Sequence, residues 1–245
     1  MKTPPSFAHI ASLLVAGVIC LSGAQSLALE KKLATTHYAQ ENSWSCGVHV
    51  ARMWAKFISP AKTFTVSNMT PYTVAETSTT IPELLDAIYY NTPSGYCFAE
   101  WEYVNKYEAV KGIVWTLEKL DQPVAIAGQV YNGNPGMHYY LVRGYKGTHT
   151  ASKDGYTGYP NFKVDGIYVE DTVYLSQYYS QGDAYNSVGK YAVSSNTLIT
   201  SSSLTSSYWT PIGGWGDKKY RSAERVTDCS QNRATLENNV VRSSY

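Results

Sequence analysis

Apolar periodicity changes once along this chain, and that change limits the folds open to it. Up to Leu120 the apolar residues recur at helical spacing; from Pro123 onward they form β-branched runs broken by turn residues. Val50, Trp54, Phe57 and Ile58 predict a helix that starts near Cys46, with Ser43 and Ser45 as cap-type residues and Pro60 as its stop. Thr80-Ile81-Pro82-Glu83 is a capping box for a second helix, whose apolar face is Leu84, Leu85 and Ile88. Tyr107 to Leu120 is the third, with Val110, Val114, Leu117 and Leu120 on one side. Pro123 to Tyr131 then reads as a strand, Asn132 to Gly136 as a turn, and His138 to Tyr145 as a strand antiparallel to the first. Lys146 to Lys163 is polar and Gly-rich and reads as a long loop. Ile167 to Thr172 reads as a strand. Asn196 to Ser207 stays open between strand and loop. Tyr208 to Trp215 is expected to close the sheet, and Ser230 to Tyr245 to form a loose polar tail. Helices first and strands after argue for an α+β domain.

The 245 residues suit one domain, or at most two small ones, and 44% hydrophobic content is ample for a core. A net charge of +1, with no basic patch interleaved with aromatics, argues against nucleic acid or an anionic membrane surface as partner. There are 22 Tyr and 6 Trp against 5 Phe. Because the tyrosines are spread along the chain, they read as strand residues rather than as one polymer-binding groove.

The start of the chain reads as an export signal. Met1 and Lys2 precede an apolar stretch from Ile10 to Leu21, which is too short for a comfortable membrane span. Cleavage fits after Ala24 or after Ala28. Gly17-Val18-Ile19 before Cys20 is a poor lipid-attachment box. The expected division is a signal over 1–28, one domain over 29–229 and a tail over 230–245. No later segment is apolar enough to cross a membrane.

Removing the signal leaves Cys46, Cys97 and Cys229. In an oxidising compartment three cysteines allow one bridge and one leftover thiol. Cys97 and Cys229 have no neighbouring base and no helix-start pattern. They are expected to pair and Cys46 to stay free, although spacing alone leaves two independent thiols open.

A nucleophilic cysteine needs a lowered pKa, a base and donors for an oxyanion. Cys46 stands at a predicted helix start, where unpaired amides and the dipole favour a thiolate. Gly47 is expected to leave the backbone beside the sulfur uncrowded. Gln40, upstream, can fold back and donate its amide to an oxyanion. Of the histidines, His138 opens a strand after a Gly-rich turn, and Asp171 ends a nearby strand, where it can fix the tautomer of the ring. His49 is the rival base, at i+3 from Cys46 on the same helix, and is expected to be a packing or surface residue instead. His37 and His149 fall in predicted loops. A zinc site at Cys46 and His49 lacks the further ligands that a closed site needs. A lone cysteine at a helix start is more often a buried small hydrophobe; the joint pattern is what separates this one. Asn68-Met69-Thr70 is a glycosylation sequon, relevant only in a eukaryotic host.

Gln40-Glu41-Asn42-Ser43-Trp44-Ser45-Cys46-Gly47 resembles the glutamine-to-cysteine box of papain-like cysteine peptidases. Pro123-Val124-Ala125-Ile126, then Gly136-Met137-His138-Tyr139-Tyr140-Leu141-Val142-Arg143-Gly144-Tyr145, then Tyr168-Val169-Glu170-Asp171 resemble one branch of that group. This branch holds the bacteriocin double-glycine leader peptidases and their secreted relatives. The resemblance covers Tyr38 to Tyr174. It implies a helical half packed against an antiparallel sheet, with Cys46 as nucleophile, His138 as general base, Asp171 as orienting residue and Gln40 in the oxyanion hole. The family places a proline after its Asp, whereas Thr172 follows Asp171 here. Glu170 and Asn161 are therefore kept as alternatives for that role.

The expectation is a secreted thiol hydrolase acting on a peptide or protein substrate without a cofactor. With no P-loop and no transporter segments, leader cleavage in its usual setting does not fit. An acyl-transferase or a cell-wall amidase is a variant of the same chemistry. A non-catalytic binding protein with a Tyr-rich contact surface is the reading from another class.

Overall fold

A computed structural model describes residues 27–40, 45–73, 79–130, 136–153, 160–172, 198–212 and 218–237. Most of the export-signal segment, the turn over 132–135, residues 196–197 and the tail beyond 237 lie outside the described residues. The fold is mixed α+β. Among the described residues, eight strands form one mostly antiparallel sheet, and helices lie against it.

Three of the four helices that follow begin at a side-chain cap. Helix α1 spans Cys46–Ile58; Ser45 holds the cap position, but its side chain makes no capping bond. A short helix α2, Val66–Met69, follows, capped by Thr65 and Asn68. Helix α3, Ile81–Asn91, starts at the capping box: Glu83 accepts from the Thr80 amide at 2.6 Å, and Thr80 Oγ1 accepts from the Glu83 amide at 3.4 Å. Helix α4, Lys106–Leu120, is capped by Asn105, which accepts from the Tyr107 and Glu108 amides.

The sheet is larger than the sequence suggests. Its strands are β1 (Leu27–Lys32), β2 (Cys97–Tyr103), β3 (Val124–Val130), β4 (Gly136–Lys153), β5 (Pro160–Asp171), β6 (Leu198–Thr200), β7 (Tyr220–Val226) and β8 (Thr235–Glu237). They run in the order β6-β5-β4-β3-β7-β2-β8, with β1 on β4. The expected long loop over 146–163 is mostly strand, because β4 continues to Lys153 and pairs with β5 on one side and β1 on the other. Gly144 and Gly147 of β4 are strand residues, not turn residues. A Cβ on Gly144 would sit 2.2 Å from the Lys31 carbonyl oxygen, and one on Gly147 2.3 Å from that of Lys163. They permit close backbone approach beside register shifts in the β4–β5 ladder.

The order of elements also differs from helices first and strands after. Strand β1 precedes α1, and β2 lies between α3 and α4. The strand that completes the middle of the sheet is β7, not Tyr208 to Trp215, which contributes only a bridge between Ile212 and Lys219 among the described residues. Asn196 to Ser207 gives the short β6 and then a helical turn. Thr235–Glu237, read as tail, pairs in parallel with Glu100–Glu102.

Strand alternation divides the core in two. Ala125, Ala127, Tyr139 and Leu141 face α1 and α3, where Trp54 meets Phe98 edge-on at 5.3 Å. Val124, Ile126, Tyr140 and Val142 face α4, through Val110, Ile113, Val114 and Leu117. The helices thus cover both faces of the sheet rather than one. Tyr103, Tyr139, Tyr140, Tyr145, Tyr168 and Tyr220 are buried strand residues. Cys97 at the start of β2 is bonded to Cys229, with Cα atoms 5.3 Å apart, and Cys46 takes no part in a disulfide. Among the described residues, no helix is long and apolar enough to cross a membrane.

Candidate active site

Cys46 is the first residue of α1 and is 4% exposed. Its sulfur stands where helix amides are unpaired. The amides of Gly47 and of Tyr139, on β4, donate to it. Burial opposes ionisation of this thiol. The hydrogen bond and charge of His138, with those two amides, outweigh it and lower the pKa. The space beside Gly47 is not open, as the sequence suggests. A Cβ there would sit 2.6 Å from Cβ of Thr79, so the glycine admits Thr79 against the start of α1.

His138 lies on β4 opposite Gly128 of β3. A Cβ on Gly128 would clash with the Tyr208 carbonyl oxygen at 1.8 Å, so this glycine lets the turn over 204–208 close over the strand. Asp171 ends β5 opposite Tyr140. Residues opposite each other share a face, and so do residues two apart on one strand. The pairing of Tyr140 with Asp171 therefore puts the carboxylate on the face of His138. His138 Nε2 lies 2.8 Å from Asp171 Oδ1, and both residues are 2% exposed or less. Nδ1 is the ring nitrogen left to face Cys46. The edge of the His138 ring meets Tyr140, with centroids 4.6 Å apart. Burial disfavours the imidazolium, but the charge and hydrogen bond of Asp171, then those of Cys46, prevail and push its pKa up to about 10.

The alternatives to Asp171 are occupied or distant. Glu170 accepts from Thr35 Oγ1 at 3.0 Å, meets His37 Nδ1 at 3.2 Å and pairs with Arg143 Nε at 3.1 Å. Alternation turns it to the face opposite Asp171. Asn161 pairs with Thr150, near the far end of β4 from His138. Among the other histidines, His49 is fully buried with Nδ1 3.0 Å from Arg52 Nη1. Burial, then the charges of Arg52 and His37, lower its pKa to about 4, so it is a neutral core residue at pH 7. His149 is a strand residue opposite Leu27, not a loop residue.

Gln40 is 2% exposed and is tied to the residue after Asp171. Its backbone N–H donates to the Thr172 carbonyl at 2.8 Å, and the Thr172 hydroxyl donates to its side-chain Oε1 at 2.6 Å. In the sequence Thr172 stands out only as a departure from the pattern the chain resembles; in the structure it holds Gln40. The Tyr139 amide was missed altogether, because a backbone donor leaves no mark on residue type. Three consecutive residues at the end of β5 thus hold three parts: Glu170 the segment before Gln40, Asp171 the ring of His138, and Thr172 Gln40 itself.

No family model matches the chain, and no curated protein matches it.

Proposed function

We propose that the chain is a secreted papain-like cysteine hydrolase that cleaves peptide or amide bonds. The observation that carries this reading is the buried line Cys46–His138–Asp171, in which the thiol is shifted toward thiolate and the imidazole toward imidazolium. The resemblance around Gln40, Cys46, His138 and Asp171 adds to it. So does a bridge between Cys97 and Cys229, a bond favoured outside the reducing cytosol.

In this reading the Cys46 sulfur attacks the substrate carbonyl carbon, and a C–S bond forms as the carbonyl electrons move onto oxygen. The Cys46 amide and the Gln40 side chain stabilise that oxyanion. Collapse breaks the C–N bond, and the leaving amine takes the proton of the His138 imidazolium. Water then gives a proton to His138 and attacks the thioester. The C–S bond breaks, the acid leaves, and the ion pair is restored. Asp171 keeps the proton on Nε2 and the ring turned to the sulfur. An amine in place of water would make the same site an acyl-transferase.

The test is a panel of fluorogenic peptidyl-aminomethylcoumarins incubated with the mature protein and with Cys46→Ala. Release from at least one peptide, abolished in Cys46→Ala, is expected. Identical traces for the two proteins across the panel would contradict the hydrolase. They would favour the non-catalytic binding protein, for which the stacked rings of Tyr72 and Tyr90 (4.7 Å apart, with Tyr90 53% exposed) offer an aromatic contact surface.

A further inference from the structure

The segment that carries Gln40 is held along its length by the two strands that carry the rest of the site. Leu33 exchanges bonds with Arg143: its amide donates to the Arg143 carbonyl at 2.7 Å, and its carbonyl accepts from Arg143 Nη1 at 3.0 Å. Thr35 and His37 then meet Glu170, and Gln40 meets Thr172. The last of these contacts decides which way the Gln40 carboxamide points. Its oxygen and nitrogen are opposite branches of one planar group. While Oε1 accepts from Thr172, the NH2 group is turned to the other side, as a donor. A half-turn of the amide would put oxygen where nitrogen is and present a lone pair to a developing oxyanion.

We propose that Thr172 is a positioning residue that fixes the Gln40 amide as an oxyanion donor, an inference that rests on the hydrolase reading above. Two features make the hydroxyl suited to this. Thr172 is fully buried and Gln40 nearly so, so water does not compete for Oε1. The same residue also grips the Gln40 backbone, so the side-chain bond closes a small ring with little freedom left to lose. A proline at this position carries no hydroxyl, so the clamp belongs to threonine. Since Thr172 directly follows Asp171, the strand end that orients the base also orients the oxyanion donor.

The test separates a reaction that passes through an oxyanion from one that does not. p-Nitrophenyl acetate acylates a thiolate through a tetrahedral oxyanion and releases p-nitrophenolate. Iodoacetamide alkylates it by direct displacement of iodide, with no oxyanion. Both rates are measured at pH 7 on the mature protein, Thr172→Val, Thr172→Ala, Thr172→Ser and Gln40→Glu. Thr172→Val is expected to slow acylation roughly 10- to 100-fold, part of the loss seen when an oxyanion donor is removed outright, with alkylation unchanged. Thr172→Ser restores acylation. Gln40→Glu keeps an oxygen for Thr172 but loses the NH2, and it slows acylation in the same way; Thr172→Ala, which also lacks the hydroxyl, decides the matter should Thr172→Val fail to fold. Acylation at the wild-type rate in Thr172→Val or Gln40→Glu overturns the inference and leaves the hydrolase standing. A parallel fall in acylation and alkylation also overturns it, because Thr172 then supports the thiolate or the fold. No Cys46-dependent acylation in the wild type overturns both.

Discussion

His138→Ala is expected to slow the alkylation of Cys46 by iodoacetamide at pH 6 by roughly 10-fold or more, the difference in thiolate fraction between an ordinary thiol and one lowered by a neighbouring imidazolium. The sign follows from what acts on the thiol. Burial pushes its pKa up; the bond and charge of His138 push it down and, with two backbone amides, prevail. Without the ring, burial faces the amides alone, and the pKa rises. An ordinary thiol is only about 0.3% ionised at pH 6, and a buried one less. Asp171→Asn acts one step removed. It removes the largest of the effects that raise the His138 pKa, so that pKa falls from about 10 and the ion pair weakens. Intact-mass labelling of the three proteins side by side reads both effects, with Asp171→Asn between the other two. Equal rates in wild type and His138→Ala would mean that the ring does not govern the thiol.

Loss of the bridge between Cys97 and Cys229 is the second large effect. The bond spans 132 residues of sequence, so it closes a loop over more than half of the chain. For a loop of that length the chain-entropy account gives about 5 kcal/mol, and natural disulfides in small secreted domains are worth roughly 2–5 kcal/mol. Cys97→Ala with Cys229→Ala is therefore expected to lower unfolding free energy by about 4 kcal/mol, measured by guanidinium titration at pH 7. The bridge joins the start of β2 to the turn before β8, remote in the fold from the start of α1. Below the new transition, labelling of Cys46 should keep its wild-type rate. A loss under 1 kcal/mol would mean that the strand pairing of β2 with β7 and β8 holds that corner without the bond.

Why the site was more legible than the sheet is clear from particular residues. The start of α1, the box at Thr80 and the strand with His138 are written in local chemistry: a cap position, a turn cluster, an alternation. Strands β2 and β7 are not. Cys97–Tyr103 contains Glu100 and Glu102, and Tyr220–Val226 contains Arg221, Glu224 and Arg225. Such charges read as surface or loop. Glu100, Glu102 and Glu224 are nonetheless buried, because partners brought in by the fold satisfy them. Arg221 bonds Glu100 at 3.2 Å and Glu102 at 2.8 Å, and Lys219 bonds Glu102 at 2.9 Å. On the opposite face, the fully buried Glu224 accepts from Tyr103, Thr116 and Ser222. None of these pairings is visible until the strands are adjacent. The same holds for Asp171. Its place at a strand end is legible, but only the pairing with Tyr140 puts it on the ring of His138, and only the alternation at Glu170 removes the rival carboxylate.

The pH dependence of the two ends of the ion pair gives the account its window. The pair exists above the lowered pKa of Cys46 and below the raised pKa of His138, about 10. The proposed hydrolysis needs both partners and should fall on either side of that window. Alkylation needs only the thiolate, so it should rise once and then stay level.

The measurement that bears most directly on the claim of a thiolate nucleophile is the rate of iodoacetamide labelling of the wild-type protein from pH 4 to pH 9. It is followed by intact mass without reductant, with Cys46→Ala as the blank. A thiolate paired with His138 predicts one label, absent from Cys46→Ala, whose rate levels off at a lower pH than that of an ordinary thiol. A rate that keeps climbing toward pH 9 as an ordinary thiol does, or a Cys46 that does not label at all, would contradict it.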